Sequence, residues 1–332
     1  MSSRKRGSDN EQPPVFGRVH DSPVVRLIEP ASAGPAAVVG ASGFIGTALV
    51  RRLELLGVPV QSFTRDVPFT VGSRRLAPGP ESVRTVFWLA ASVNPAVAEA
   101  RPDLIGLDQA ALADALEALE TSVHPPLVVL VSSGGTVYDA SAAPPYSEDS
   151  AVSGSTAYAR SKLALERALQ SSALPKTCKV VLRVANAYGP GQAARRGLGV
   201  VAHWLASAAG GGPLVLIGDK NTVRDFVYID DIVDALVAVH RADGALPPVL
   251  NIGSGHGTTL GQLADTVLEV VDDPTVAVEV RPARSFDLSR TWLDTSFASR
   301  VLGWQAKTSL HDGVVAAWRA LRGDTAADQA RG

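Results

Sequence analysis

The sequence predicts an α/β fold, a doubly wound parallel sheet followed by a smaller C-terminal α/β region. Three observations carry this expectation. A short apolar run, Ala36 to Val39, leads into glycines at a spacing of three: Gly40, Gly43 and Gly46. The next segment, Phe44 to Leu56, has helical apolar periodicity and meets a suitable C-terminal cap in Gly57. Further along, short apolar runs alternate with helical patterns as far as about Arg322. Strand, glycine turn and helix together make a phosphate site. The turn lets backbone approach a pyrophosphate closely, and the helix N-terminus offers unpaired N–H groups and the positive end of its dipole. That arrangement makes the fold class Rossmann-type.

Length and composition limit the rest. A chain of 332 residues suits one large α/β unit with an elaborated end, or two closely joined domains. The net charge of -2 gives no electrostatic case for nucleic acid. Cys178 is the one cysteine, which excludes an internal disulfide and fits a reducing, cytoplasmic setting. The histidines are scattered, none at ligand spacing with Cys178, so no metal is expected. No apolar run is long enough for a membrane span, and Met1 to Pro14 lacks the apolar core of a signal peptide. The expected organisation is a disordered tail over 1–22 and a Rossmann dinucleotide-binding domain over 23–185. A mainly substrate-binding region, interleaved with the Rossmann sheet, follows over 186–322, and then a tail over 323–332.

Taken in order, Val24 to Ile28 is a candidate short strand. After Gly57 comes the strand Val58 to Phe63, which ends at Thr64-Arg65-Asp66. In a Rossmann unit this end lies beside the adenosine ribose. An acidic residue there binds the 2′-hydroxyl of NAD, whereas Arg accommodates the 2′-phosphate of NADP. The acidic position falls on Thr64 and Arg65 follows, which favours NADP; Asp66 keeps NAD open. The polar stretch Val67 to Ser82 is short for a further helix and strand, so this half of the fold looks trimmed. Val83 to Ala91 is the next buried strand, Pro102 to Glu120 a helix, and Leu127 to Val131 a strand.

That last strand runs into Ser132-Ser133-Gly134-Gly135-Thr136-Val137-Tyr138. Hydroxyls at a strand's C-terminal end stand where open α/β sheets bind ligands. Tyr158 and Lys162 then share one face of a predicted helix. Free tyrosine titrates near pH 10, so a phenolate at neutral pH needs a shift of about three units, roughly 4 kcal/mol. A neighbouring ammonium and a cationic nicotinamide ring supply charge of the right sign for that shift. Strands are further expected at Lys179 to Val184, Leu214 to Ile217, Pro248 to Ile252 and Val276 to Val280. Helices are expected over Gly197 to Ala209, after Asp231, after a Thr258 or Thr259 cap, and after a Ser309 cap.

These landmarks, in this order, resemble the extended branch of the short-chain dehydrogenase/reductase superfamily. The likeness is to the NAD-dependent epimerase/dehydratase family of nucleotide-sugar enzymes, of the UDP-glucose 4-epimerase type. The residues that carry it are Gly40-Ala-Ser-Gly-Phe-Ile-Gly46, Val86-Phe-Trp-Leu-Ala-Ala91, Ser132-Ser-Gly-Gly-Thr-Val-Tyr138, Tyr158-xxx-Lys162, Arg183-xx-Asn186-x-Tyr188-Gly-Pro-Gly-Gln192, Arg224-Asp-Phe-Val-Tyr-Ile-Asp-Asp231, Asn251-Ile-Gly-Ser-Gly255 and Leu302-Gly-Trp304. They span about Pro35 to Arg322.

The resemblance implies roles. Tyr158 would be the general acid/base, with Lys162 holding the nicotinamide ribose and lowering the tyrosine pKa. Gly40, Ser42, Gly43, Phe44, Ile45 and Gly46 would cradle the pyrophosphate of NAD or NADP. Thr64 and Arg65 would lie at the adenosine end, and Leu89, Ala90 and Ala91 would border the cofactor. Asn186 and Arg224 would bind the diphosphate of a nucleotide-sugar, with Arg284 and Asp287 near its nucleoside. A homodimer through the 102–120 and 158–170 helices would be in keeping with the family.

Two departures matter. The usual catalytic Ser/Thr falls on Gly134, so Thr136, or else Ser133, must supply the hydroxyl that aligns the sugar. Dehydratases of the 4,6-type carry an Asp-Glu pair where Gly135 and Thr136 stand, which argues against that reaction. The implied activity is an epimerase working at C4 of an NDP-hexose through a keto intermediate. An NADPH-dependent reductase of NDP-4-keto-hexoses is the alternative, and a non-catalytic nucleotide-sugar sensor the reading from a different class. The second departure is the trimmed stretch between residues 66 and 83, where the family places an adenine-contacting Asp.

Overall fold

A computed structural model describes residues 24–72, 74–194, 199–282 and 289–323. The predicted tails fall outside these residues, apart from Gly323. The chain opens with a two-residue strand, β1 (Arg26–Leu27), then β2 (Ala36–Val39), α1 (Phe44–Leu55), β3 (Val60–Phe63) and β4 (Thr85–Trp88). Next are α2 (Pro95–Ala100), α3 (Ile105–Glu120), β5 (Leu127–Ser133), α4 (Ala157–Ser171) and β6 (Lys179–Val184). The second half holds β7 (Asn186–Tyr188), α5 (Val200–Ala209), β8 (Leu214–Ile217), β9 (Val223–Arg224), β10 (Phe226–Tyr228) and α6 (Ile229–Arg241). Then come β11 (Ala242–Asp243), β12 (Val249–Ile252), β13 (Thr258–Thr259), α7 (Leu260–Val271), β14 (Val278–Arg281), α8 (Ser296–Leu302) and α9 (Leu310–Arg322).

Six strands form one sheet in the order β12-β6-β5-β4-β2-β3, every neighbouring pair parallel. An all-parallel sheet is covered on both faces, so its central strands read as near-continuous apolar runs rather than as an alternation with polar residues. All four residues of β2 and of β4 are buried accordingly. Successive side chains still part to opposite faces. Val38, Phe87 and Val129 pack with Leu49 and Leu53 of α1 and Leu236 of α6. Ala37, Val86, Trp88 and Val128 pack with Leu112 and Leu116 of α3 and Leu165 of α4. Each fully buried leucine of this kind contributes about 1.5–3 kcal/mol.

The strand order reverses at β2, which has β3 on one side and β4 on the other. A crevice forms at such a switch point, outside the carboxyl ends of the strands. The glycine turn after β2 and Leu89 after β4 meet there. The trimming expected from sequence is present: among the described residues, Phe63 and Thr85 are joined by a loop with one short 3-10 turn, Pro80–Ser82, and no α-helix. Beyond β6 the chain builds the smaller region from paired short strands, β7 with β10, β8 with β14 and β9 with β13, and between β10 and β13 it returns once to the central sheet with β12.

Two helix caps follow the sequence closely. Thr259 and Gln262 form a capping box on α7, and Ser309 accepts from Asp312 N on α9. α9 packs Leu310 and Trp318, partly buried, against the core. Gly313, Val314 and Ala317 are its buried residues, while Leu321 is about half exposed. No helix among the described residues is long and apolar enough to cross a membrane.

Candidate active site

A cavity of about 1060 Å³ runs along the switch point and between the two regions. Gly40, Ser42, Gly43, Phe44, Ile45 and Gly46 form one end of its wall. Two of these glycines are there for space. Gly40 has φ +91°, and a β-carbon on it would stand 2.7 Å from Ala90 N; one on Gly46 would stand 2.2 Å from Gly40 O. The turn can therefore close only without side chains. α1 then begins at Phe44 with no side-chain cap. Its first-turn N–H groups remain open to an anion in the cavity wall. This fits a dinucleotide pyrophosphate. Leu89 and Ala91 line the same end. Ala90 packs its backbone on Gly40 instead.

The centre of the cavity is set by α4 and β5. Thr156 caps α4 by accepting from Ala159 N at 3.0 Å, which fixes Tyr158 in the first turn. Tyr158 and Lys162 both line the cavity. Lys162 is buried, its Nζ lies 5.8 Å from the centre of the Tyr158 ring, and it donates to Val131 O at 3.4 Å. One turn on, Glu166 accepts from the Ser132 hydroxyl. It also takes a buried two-nitrogen contact from Arg183, whose Nη2 lies 2.8 Å from Oε2. Two successive turns of α4 thus grip two successive residues of β5. Tyr158 is thereby held in register with the strand end.

At that strand end Ser133, Gly135 and Thr136 line the cavity, and Thr136 donates to Ser133 Oγ at 3.0 Å. Gly134 stands apart. A β-carbon there would lie 2.6 Å from Leu293 Cδ1 and 2.9 Å from Arg183 O. The space a hydroxyl-bearing side chain would need is filled by Leu293. The two hydroxyls offered to the cavity at this turn are Ser133 and Thr136, the two the sequence named.

The far end is polar and partly cationic. Asn186 lines it, with its Nδ2 donating to Asp225 O at 2.9 Å. Arg224 lines it beside Phe226. Arg281 and His203 line it too; neither was given a role from the sequence, Arg281 because it falls just past a predicted strand and His203 because it sits inside an ordinary helix pattern. Glu99, on the short helix α2, is a further lining residue missed there, and its Oε1 accepts from Ala157 N at 2.8 Å beside Tyr158. Thr64 lies in a second, smaller pocket outside the glycine turn. Arg65 is exposed and lines neither. Arg284 and Asp287 lie outside the described residues.

Two aspartates of the Arg224–Asp231 stretch, Asp225 and Asp231, are structural. Asp225 is buried and accepts from Ser254 N, Ser254 Oγ and Leu293 N. Burial holds its carboxyl above the usual carboxylate range despite those bonds. Asp231 accepts from Lys307 N and Thr308 N.

Residues 36–253 match the model of the NAD dependent epimerase/dehydratase family. The chain belongs to that family. It is an enzyme of the extended short-chain dehydrogenase/reductase type, whose epimerases, dehydratases and reductases depend on a nicotinamide dinucleotide. Within the family it is 31% identical to the UDP-glucose 4-epimerase of Mycolicibacterium smegmatis, over 83% of this chain and 95% of that one. It is 28% identical to the dTDP-4-dehydro-6-deoxyglucose reductase of Escherichia coli, over 83% and 94%. Among solved structures, the UDP-glucose 4-epimerase of Thermus thermophilus in complex with NAD superposes with a TM-score of 0.75 at 27% identity, covering 88% of this chain and 100% of that one.

Proposed function

We propose that the protein is a nucleotide-sugar epimerase that inverts C4 of an NDP-hexose through a 4-keto intermediate. The observation that carries this reading is the shared cavity of Tyr158, Lys162 and the Ser133–Thr136 pair with the uncapped start of α1. When bound, the nicotinamide dinucleotide supplies the hydride acceptor and donor for the oxidation and re-reduction at C4. The protein does the rest. Tyr158 takes the proton from the O4 hydroxyl as that carbon is oxidised and gives it back once the sugar has presented its other face. Lys162, buried beside the ring with its Nζ 5.8 Å from the ring centre, places an amine next to the proton-transfer group. The Thr136 and Ser133 hydroxyls hold O4 in line. Asn186, Arg224 and Arg281 hold the diphosphate end, where planar guanidinium groups suit phosphate oxygens. The volume, about 1060 Å³, lies just above the range of about 300–1,000 Å³ usual for one small ligand, which suits a dinucleotide and a nucleotide-sugar together.

The turn that would bear the acid and base of a 4,6-dehydratase carries Gly135 and Thr136, and neither can act as a carboxylate. A reductase of 4-keto sugars is the second reading. It uses the same Tyr158 as proton donor and is favoured by the absence of a carboxylate at Thr64. The deciding experiment incubates the purified protein with a panel of NDP-hexoses without added cofactor, and follows the sugar protons by NMR. Appearance of the C4 epimer supports the first reading. Turnover of a 4-keto sugar that depends strictly on added NADPH, with no epimer from any hexose, replaces it with the second.

A further inference from the structure

We propose that the dinucleotide bound here carries a 2′-phosphate, and that the small pocket outside the glycine turn receives it. The proposal rests on reading residues 40–46 as the dinucleotide turn. The pocket, about 370 Å³, opens between the outer face of α1 and the exit of β3. Ser42 lines both this pocket and the main cavity, so the two meet where the adenosine ribose would leave the turn.

The chemistry of the wall suits a phosphate better than a ribose hydroxyl. An NAD site has a carboxylate at the strand exit to accept from the 2′-hydroxyl. Here that position is Thr64, whose Oγ1 accepts from Val67 N at 3.3 Å and keeps its own O–H free to donate. Ser42 and Ser62 add two hydroxyls with no partner among the described residues. Arg51 lines the pocket with no ion pair among the described residues, whereas its neighbour Arg52 is engaged by Asp234 at 3.1 Å. Arg65 is exposed at the same strand exit and, like Asp66 beside it, does not line the pocket. Glu54 is the one carboxylate in the wall, one helical turn beyond Arg51. A phosphate carrying about -1.5 to -2 charges would be attracted by Arg51 and the hydroxyls of the wall and opposed there by Glu54.

The test is binding and needs no turnover. NADPH and NADH are titrated separately into the folded protein and followed by nicotinamide fluorescence. Any dinucleotide released on denaturation is identified by mass spectrometry. The expected result is NADPH bound at least tenfold more tightly than NADH, or NADP as the resident molecule. Arg51→Ala should then weaken NADPH about tenfold and NADH less than threefold. Thr64→Asp should reverse the preference, and Glu54→Gln should tighten NADPH alone. As a control that bypasses the nicotinamide end, 2′,5′-ADP should raise the thermal midpoint more than 5′-ADP does. Equal or tighter binding of NADH, resident NAD, or an Arg51→Ala effect equal for both dinucleotides would overturn the proposal while leaving the epimerase reading intact. Binding of neither dinucleotide, with none resident, would overturn the site reading itself.

Discussion

Thr136 Oγ1 donates to Ser133 Oγ at 3.0 Å, across the glycine at which related enzymes place their catalytic hydroxyl. The pair stands at the C-terminal end of β5, in the wall of the cavity that holds Tyr158. Leu293 fills the space beside Gly134, so in the proposed reaction the aligning hydroxyl is that of Thr136 or Ser133. Thr136→Ala should therefore lower kcat with little change in KM. A hydrogen bond to a charged or reacting oxygen contributes about 1.5–3 kcal/mol, which is roughly ten- to hundredfold in rate. Thr136→Ser should keep most of the activity. Steady-state kinetics of the two variants checks this; equal losses in both would assign the threonine a packing role.

Restoring the familiar residue should fail. Gly134→Ser brings a β-carbon within 2.6 Å of Leu293 Cδ1 and 2.9 Å of a backbone oxygen. Overpacking of this kind costs about 1–3 kcal/mol. A lowered midpoint in urea is expected, with no gain in kcat. Pairing it with Leu293→Ala should recover part of the lost stability if Leu293 is the obstacle.

The Arg183–Glu166 contact ties the helix of Tyr158 to β6 and is almost fully buried. Removing one partner of such a pair leaves an uncompensated charge, at a cost of about 3–5 kcal/mol. Arg183→Met should destabilise strongly in denaturant titrations. The double variant Arg183→Met with Glu166→Leu should be less destabilised than the single one, because no lone buried charge remains. A double variant as unstable as the sum of the two singles would contradict the pairing argument.

Glu148 gives the stability a pH dependence of definite sign. It is buried, its Oε1 accepts from Asn251 N at 2.8 Å, and burial pushes its carboxyl up to about 7. Its folded pKa is thus above the unfolded one, so between about pH 4.5 and 7 the folded state binds the extra proton. Its contribution is full below the unfolded pKa and is lost as pH rises through about 7, by an amount on the order of 3 kcal/mol. Unfolding free energies measured from pH 5 to pH 8 should fall by a part of that size. Glu148→Gln should flatten the decline; an unchanged slope in the variant would assign it to other groups.

Much of this architecture was legible in the sequence, and the parts that were not have physical reasons. β2, the glycine turn and α1 could be read because tight closure demands glycine at fixed spacing and the helix behind it must be amphipathic. The missing hydroxyl at Gly134 could be counted from the motif. That Leu293 fills its place could not, because the contact comes from a segment far along the chain. Helix α2 was missed because six residues are too few to establish a period. Glu99, which α2 carries to the cavity, was missed with it. Asp225 and Asp231 stand in the same motif as Arg224, yet the structure uses both to hold backbone N–H groups, a role that depends on partners distant in the chain. Arg281 lies at the end of an exposed strand that the sequence read as stopping one residue earlier.

The phenol of Tyr158 is the group on which the account depends, and its removal is the most direct measurement. The rate of C4 inversion by Tyr158→Phe should be compared with that of the unaltered protein, each shown to be folded and to hold its dinucleotide. General acid–base catalysis contributes about 10²–10⁴ in rate, so a fall of that size is expected with nucleotide-sugar affinity nearly unchanged. A variant that inverts C4 at the unaltered rate would contradict the account and move the chemistry away from this helix.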